Sequence, residues 1–264
     1  LLFTGALIPV ICFLLQINIF TEEYRILFLA DLVTKNVKTI GKMWTLCRIM
    51  FWILPIVGLV GASNLSTAII ILGIGVILIF VASPKYAQFA LMGIAGACFM
   101  GIFLALESYR LERLAIWRNP EKYEKGYQTL QGLYAIGSGG VFGVGIGNSV
   151  QKLGFVPEAQ NDMIFSIICE ELGLAGAGII VFLFLLLIWR FFLIASGSRD
   201  LFGALIATGA MAHMMIQVIL NIAVVTNTIP NTGITLPFIS YGGTSVMFLL
   251  IEMGLVLSVS QVVD

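Results

Sequence analysis

The sequence predicts an all-α fold, a polytopic transmembrane helix bundle of seven or eight spans with one large extracytoplasmic loop. Hydrophobic residues make up 59% of the 264 residues and charged residues only 11%, whereas soluble domains carry roughly 25% charged residues. The mean hydropathy of +1.05 agrees with this class. Lys and Arg balance Asp and Glu at 14 each, so the net charge gives no reason to expect a nucleic acid as a partner.

The spans follow from the length of the apolar stretches. A spanning helix needs about 20 mainly apolar residues, and seven stretches qualify: 1–19, 46–62, 65–82, 86–106, 163–189, 201–223 and 239–260. The stretch 24–33 is short and contains Asp31, so it is a weak span, a re-entrant piece or an interfacial helix. Seven crossings result without it and eight with it.

The orientation of the bundle follows from the Lys and Arg residues of its short loops, which favour the cytoplasmic side. This rule places the long loop 107–161 and the uncharged loop 227–237 outside, and the C-terminus inside. We interpret 1–264 as a single integral membrane domain. The chain begins LLFTG, with neither an initiator Met nor the basic start of a signal peptide, so we expect it to be N-terminally incomplete. The basic residues used are Lys35, Lys38, Lys42, Arg48, Lys85, Arg190 and Arg199.

The long outer loop carries six basic and five acidic residues. At this length an ordered loop between spans is more often functional than a simple connector. Its first part, SYRLERLAIWRNPEKYEKGYQ, has amphipathic periodicity with aromatic residues, which predicts a helix lying at the outer membrane interface. A solvated charged face is the alternative interpretation.

Glycines mark the second part of this loop and the helix after it. The run GGVFGVGIG (139–147) lacks the βαβ context of a dinucleotide-binding fingerprint, so its glycines are expected to let the backbone turn tightly or approach a ligand or neighbouring helix. Gly173, Gly176 and Gly178 predict close helix–helix packing. The only histidine, His213, lies on an apolar helix, where a buried, hydrogen-bonded side chain is expected rather than a metal ligand.

Four carboxylates lie within fourteen residues of an otherwise apolar chain: Glu158, Asp162, Glu170 and Glu171. Charge at or inside a membrane is costly and usually marks a site. Pro157 ends the preceding segment, and Asn161 or Asp162 can cap the helix that follows. Helical steps from Asp162 reach three further residues, which predicts one shared face towards a polar cavity. They are Ser166, Cys169 and Glu170.

Two interpretations of these carboxylates stay open from spacing alone. In one, Asp162 is only a helix cap, and Glu170 and Glu171 are paired core charges. In the other, Asp162 is a general base facing the outer leaflet. The helix N-terminus would lower its pKa and desolvation would raise it. Lys152 and the arginines of the loop could then hold an anionic group such as a diphosphate.

Two long motifs of the chain resemble a known family. The stretch GYQTLQGLYAIGSGGVFGVGIGNSVQKLGFVPEAQNDMIFSIICEELGLAG (126–176) and the stretch TGITLPFISYGGTS (232–245) resemble the SEDS family, whose members are FtsW, RodA and SpoVE. NSVQKLGFVPE is more similar to the FtsW/SpoVE branch than to RodA. The resemblance continues more weakly through NLSTAIII (64–71), so it covers most of the chain beyond about residue 45.

The resemblance implies a ten-span fold, of which the crossings counted above would be spans three to ten. It also implies peptidoglycan glycosyltransferase activity on lipid II at the outer face of the bacterial cytoplasmic membrane, in cell division, shape or sporulation. The essential acid of the family's PE-x-x-x-D motif falls on Asp162, which we expect to be catalytic. The candidate substrate-binding residues are Lys152, Gln151, Glu158, Arg113, Ser166, Glu170, Ser240 and Thr244.

Cofactor and partners are further expectations. A divalent cation, Mg²⁺ or Mn²⁺, could support the leaving diphosphate, and no organic cofactor is expected. The expected partners are lipid II, a class B penicillin-binding protein transpeptidase and proteins of the divisome or elongasome. Two other functions stay open: a flippase for lipid II, and an inactive scaffold paralogue. The second arises because the family's usual His-Thr before the aspartate is replaced by Gln160–Asn161.

Overall fold

The structure, a computed structural model, describes residues 22–83, 85, 88–90, 92–94, 96, 101 and 108–261. Within these residues the chain forms α-helices and short 3₁₀ turns and contains no strand, so the predicted all-α class is confirmed. The predicted span 1–19 and most of 86–106 lie outside the described residues. The α-helices whose two ends fall within the described residues are α1 (Glu22–Asn36), α2 (Met43–Ser63), α3 (Leu65–Ala82), α4 (Ser108–Arg118), α5 (Tyr127–Gly139), α6 (Ile164–Gly197), α7 (Leu201–Val225) and α8 (Gly243–Ser260).

Five helices in the described part of the chain are long and apolar enough to cross a membrane. They lie at Met43–Gly61, Leu65–Ala82, Ile164–Gly197, Leu201–Val225 and Gly243–Ser260. Each matches one of the predicted spans to within a few residues, except that α6 continues past the predicted end. The ambiguous stretch 24–33 belongs to α1, whose 15 residues are fewer than the roughly 20 that a span needs.

The first compact unit contains the described parts of 1–95, 188–216 and 243–264. In this unit α1 packs against α3 and α8, and α2 packs along α3. Asn64 alone separates α2 from α3: its N–H donates to the Val60 carbonyl at 2.7 Å. Its side chain accepts from the N–H groups of Ser66 and Thr67, which makes it the N-cap of α3.

His213 and Glu252 also belong to this unit, on α7 and α8. His213 Nδ1 and Glu252 Oε2 form a hydrogen bond of 2.9 Å, and the two residues are 2% and 3% exposed. The prediction of a buried, hydrogen-bonded histidine is therefore confirmed. A buried carboxylate in an apolar helix is energetically costly unless it has a hydrogen-bonding partner such as this histidine.

The second compact unit contains the described parts of 96–187 and 217–242. Part of the segment predicted as an interfacial helix is helical: α4 ends at Arg118, and two 3₁₀ turns follow at Pro120–Lys122 and Glu124–Gly126. Pro120 ends the helix because it lacks an N–H and disfavours helical geometry in the residue before it. A buried apolar cluster joins the start of α6 to the end of α7, and includes Met163, Phe165, Cys169, Val218, Val225 and Leu236.

Candidate active site

A glycine-rich loop is built into the backbone of α6. At Gly173 the helix is kinked, with φ 68° and ψ −172°, and the helical bonds across the kink are replaced by bonds to the loop. Val144 and Gly145 donate to the carbonyls of Glu170 and Glu171 at 2.9 and 3.0 Å. In the other direction, the N–H groups of 174 and 175 donate to the carbonyls of 140 and 141 at 2.9 and 3.0 Å. These four bonds give partners to backbone groups that the kink takes out of the helical pattern, as an apolar setting requires.

This exchange explains the glycines. A Cβ at Gly139 or Gly143 would overlap the backbone of α6, and Gly143 also has a φ of 80°, which other residues adopt only with strain. The prediction that the glycine run allows a close backbone approach is confirmed. For Gly173 the predicted helix–helix packing is wrong, because its α-carbon faces the backbone of residues 141–143.

The two glutamates at the kink hold the next part of the loop. Glu170 is 3% exposed; its carboxylate accepts from the Ser149 hydroxyl and, at 3.1 Å, from the Val150 N–H. Glu171 forms an ion pair with Lys152, with 2.5 Å between Oε1 and Nζ. The predicted phosphate ligand Lys152 and the predicted substrate ligand Glu170 therefore have structural partners within the protein.

Asp162 lies two residues before α6 begins, outside the apolar span. Its side chain is largely buried, with the residue 9% exposed, and its Oδ1 accepts from Gln128 Nε2 at 3.3 Å. Burial raises the pKa of this carboxyl above its ordinary value, and the nearby Glu158 carboxylate raises it further, whereas its own backbone N–H and Gln128 lower it. A carboxylate with a raised pKa is better matched to proton transfer near neutral pH.

The backbone around Asp162 is fixed by two segments from the end of this unit. Asn221 on α7 is fully buried and donates to the carbonyls of Asp162 and Ile234 at 2.8 and 2.7 Å. Ser240 donates to the Asn161 carbonyl at 2.6 Å and accepts from the Leu236 N–H. These bonds tie the 232–242 stretch to the segment that carries the aspartate.

Asp162 opens onto a cavity of about 480 Å³. Gln128 connects Asp162 to another residue of the cavity wall, because its side-chain oxygen accepts from Asn231 Nδ2 at 3.1 Å. Arg113 Nη1 in turn donates to the Asn231 carbonyl at 2.9 Å. The wall carries aromatic, amide and charged groups, a mixture that can both pack against a ligand and hydrogen-bond to it. Its lining residues are Glu112, Arg113, Ile116, Trp117, Glu124, Lys125, Tyr127, Gln128, Thr129, Pro157, Asp162, Asn227, Asn231, Thr232 and Gly233.

Of the predicted substrate-binding residues, Arg113 alone lines this cavity with Asp162. The predicted shared face is wrong for Ser166 and Glu170: both are buried, and Ser166 donates to its own turn at the Met163 carbonyl. Glu158, Gln151 and Ser240 lie in the same unit but outside the lining. Thr244 belongs to the first compact unit, at the start of α8.

Sequence reasoning missed Gln128 and Asn221. Gln128 follows Tyr127 at the start of α5 and gives no periodic signal, because its partners Asp162 and Asn231 are more than thirty positions away. Asn221 could have been noticed, since an amide in an apolar helix needs a partner. The two asparagines and Gln128 orient Asp162 from three different segments.

The described residues hold no group of three or more His, Cys, Asp or Glu side chains arranged for a metal ion. The cavity wall offers Asp162, Glu112 and Glu124 as carboxylates, but Glu112 is paired with Lys125 at 2.9 Å. The donor set therefore does not fit a resident metal held by protein ligands alone.

Comparison with protein families identifies the chain. The model of the FtsW/RodA/SpoVE family, described as "Cell cycle protein", matches residues 11–264. The chain belongs to the FtsW/RodA/SpoVE family. Stage V sporulation protein E of Bacillus subtilis is 40% identical over 260 residues, which are 94% of this chain and 69% of that protein. The probable peptidoglycan glycosyltransferase FtsW of Coxiella burnetii is 37% identical over 258 residues, which are 93% and 68%.

Two solved structures share the fold of this chain. One is a chain from a structure described as "Structural coordination of polymerization and crosslinking by a peptidoglycan synthase complex". It matches with a TM-score of 0.76 and 27% identity over 90% of this chain and 69% of that chain. Another is the rod shape determining protein RodA of Thermus thermophilus, with a TM-score of 0.61 and 25% identity over 90% and 64%. The chain is therefore a multi-pass helical membrane protein, and the predicted family is confirmed.

Proposed function

We propose that this protein is a peptidoglycan glycosyltransferase that polymerises lipid II at the outer face of the bacterial cytoplasmic membrane. The observation that carries the proposal is the position of Asp162, a buried carboxylate with a raised pKa at the wall of a cavity that is also lined by aromatic, amide and charged groups. The name of one relative, probable peptidoglycan glycosyltransferase FtsW, supports the same reaction class.

In the proposed reaction, Asp162 accepts the proton of a sugar hydroxyl on the acceptor lipid II. The hydroxyl oxygen forms a glycosidic bond to the anomeric carbon of the donor, and the bond from that carbon to the diphosphate breaks with the electron pair leaving on the lipid diphosphate. Asp162 must ionise again before the next cycle. Its raised pKa increases its basicity, which assists proton removal as the new bond forms.

Arg113 is the proposed cation for the donor diphosphate. It lies on the cavity wall, where its Nη1 donates to the Asn231 carbonyl. A planar guanidinium binds phosphate oxygens in pairs and neutralises the charge that develops on the leaving group. A divalent cation, if it takes part, would arrive with the diphosphate rather than occupy a protein-only site. No step above depends on it.

The proposed partners are a class B penicillin-binding protein and, through it, the division or elongation machinery. The solved structure with the higher TM-score quoted above is described as a complex that coordinates polymerization and crosslinking. A polymerase that releases uncrosslinked glycan needs a transpeptidase beside it, so the partner follows from the chemistry of the proposed product.

The test is polymerisation of fluorescent lipid II by the purified chain in liposomes, alone and with a class B transpeptidase. Product is measured as muramidase-sensitive glycan on a gel. We expect Asp162→Asn to lose polymerisation, and the matched control Glu121→Gln to keep it, since Glu121 is an exposed acid of the same extracytoplasmic segment outside the cavity. Equal product from Asp162→Asn and the unchanged chain would refute the catalytic assignment.

Transport of the lipid-linked glycan is a second candidate, favoured by the buried pair of His213 and Glu252 in two apolar helices. Ionisable groups at such positions often line transport paths. The same liposomes separate the two functions, because flipping exposes fluorescent lipid II of the inner leaflet to an impermeant reductant. Flipping that Glu252→Gln abolishes, without any glycan product, would replace the glycosyltransferase proposal by transport.

A further inference from the structure

The glycine-rich loop that hydrogen-bonds to the backbone of α6 exposes an unusual apolar surface. We define the 141–155 loop as the residues that follow Gly140, after the end of α5, and precede Val156. Phe142 is 84% exposed, Ile146 82% and Leu153 75%. No charged residue occurs from 139 to 151, and the one charge that follows, Lys152, is paired with Glu171. A soluble loop rarely exposes so many large apolar side chains together.

The depth of this loop follows from its bonds to α6. Residues 172–189 of α6 are uncharged, and these 18 residues are about 27 Å long at the rise of an α-helix, close to the ~30 Å hydrocarbon core of a bilayer. Arg190 ends this stretch on one side and Glu171 on the other. The loop bonds to residues 170, 171, 174 and 175, which places it at the outer boundary of the apolar stretch.

The apolar surface of α6 continues into the loop at this level. Leu174 is 71% exposed and Ile179 61% exposed, on the part of the helix that must face acyl chains or another protein helix. Because Leu174 donates its N–H to the Gly140 carbonyl, the backbone of the loop begins at the level of the exposed Leu174 side chain. Both the loop and the helix therefore expose apolar side chains near this level.

We propose that the 141–155 loop inserts Phe142, Ile146 and Leu153 into the outer leaflet and anchors the extracytoplasmic segment to the bilayer. Lipid is the favoured occupant because the surface carries no charged residue from 139 to 151 and because the loop bonds to the boundary of the apolar stretch of a spanning helix. Its backbone polar groups near that boundary are bonded to α6, so insertion does not expose them to hydrocarbon. Burying such apolar groups at the interface is the ordinary source of peripheral anchoring.

The inference does not depend on the proposed function, and its test measures position rather than activity. The four native cysteines are replaced by alanine, and single cysteines are introduced as Phe142→Cys, Ile146→Cys and, as control, Glu121→Cys. All three positions are exposed, so the label disturbs no packing. Each variant is labelled at its single cysteine with an environment-sensitive fluorophore and reconstituted into liposomes. The quenching of the label by phospholipid brominated near the headgroup is compared with its quenching by aqueous iodide.

We expect brominated lipid to quench the labels at 142 and 146 more strongly than iodide does, and the reverse order at 121. Labels at 142 and 146 that iodide quenches as strongly as at 121 would overturn the proposal. Protection from iodide that arises only when a transpeptidase is added would also overturn it, since the face would then bind protein rather than lipid.

Discussion

Gln128 offers the sharpest test of how the structure sets the reactivity of Asp162. Its amide donates to the carboxylate at 3.3 Å and accepts from Asn231 at 3.1 Å, so it orients this proposed base and favours its ionised form. A hydrogen bond to a charged group contributes about 1.5–3 kcal/mol, and the long distance points to the lower end. Losing about 1.5 kcal/mol corresponds to about a tenfold change in an equilibrium or rate.

In Gln128→Ala the pKa of Asp162 should rise further, because a donor that lowers it has been removed. We therefore expect the acidic limb of the pH–rate profile for lipid II polymerisation to move to higher pH. The rate below that limb should fall about tenfold, with a smaller loss on the alkaline side. The control Gln160→Ala removes an exposed amide whose backbone carbonyl still accepts from Tyr241. A uniform loss at all pH values, or no loss, would refute the reasoning.

Three further predictions concern stability, each measured as the thermal midpoint of the purified chain. Gly143→Ala should destabilise strongly, because its Cβ meets the backbone of α6, whereas Gly147→Ala, with a similar φ but open space, should lose only about 1–2 kcal/mol; equal losses would contradict the close approach. Glu252→Met should cost about 3–5 kcal/mol by breaking a buried pair, and adding His213→Met should recover much of it; additive losses would count against the pair. The raised pKa of Asp162 means that the folded state holds its proton more tightly than the unfolded state. Stability should therefore fall as pH rises from the ordinary carboxyl value of 3.8 through the raised one, so Asp162→Asn should be more stable than the unchanged chain at neutral pH, and a less stable variant would contradict this sign.

The spans were predictable because a membrane helix reveals itself through length and apolar composition alone. The five described spans fall where the hydropathy places them. The end of α6 was missed because Arg190 suggested a boundary, yet arginine is a good helix former and its long side chain can reach polar surroundings. The helix therefore continues to Gly197.

The site was predictable only in part. Asp162 could be selected from its motif, but the helical steps counted from it failed, because α6 begins at Ile164 and the aspartate precedes it. Glu170 was assigned to the site because spacing along one helix cannot show that a separate loop enters that helix. Its true partners, Ser149 and Val150, are about twenty residues away, and nothing in local periodicity encodes such a contact.

The exchange of backbone bonds at Gly173 connects the membrane to the proposed chemistry. It fixes the start of the 141–155 loop at the outer end of the apolar stretch of α6, and the glutamates beside it fix residues 149–152. The same loop leads, within ten residues, to Asp162. The backbone carbonyls of Asp162 and Asn161 accept hydrogen bonds from Asn221 and Ser240. The segment that carries the proposed base is thus fixed close to the start of the span that α6 forms. A substrate whose diphosphate sits at the lipid headgroups would meet the base at that depth, which is why a rigid attachment to a spanning helix suits this reaction better than a mobile loop would.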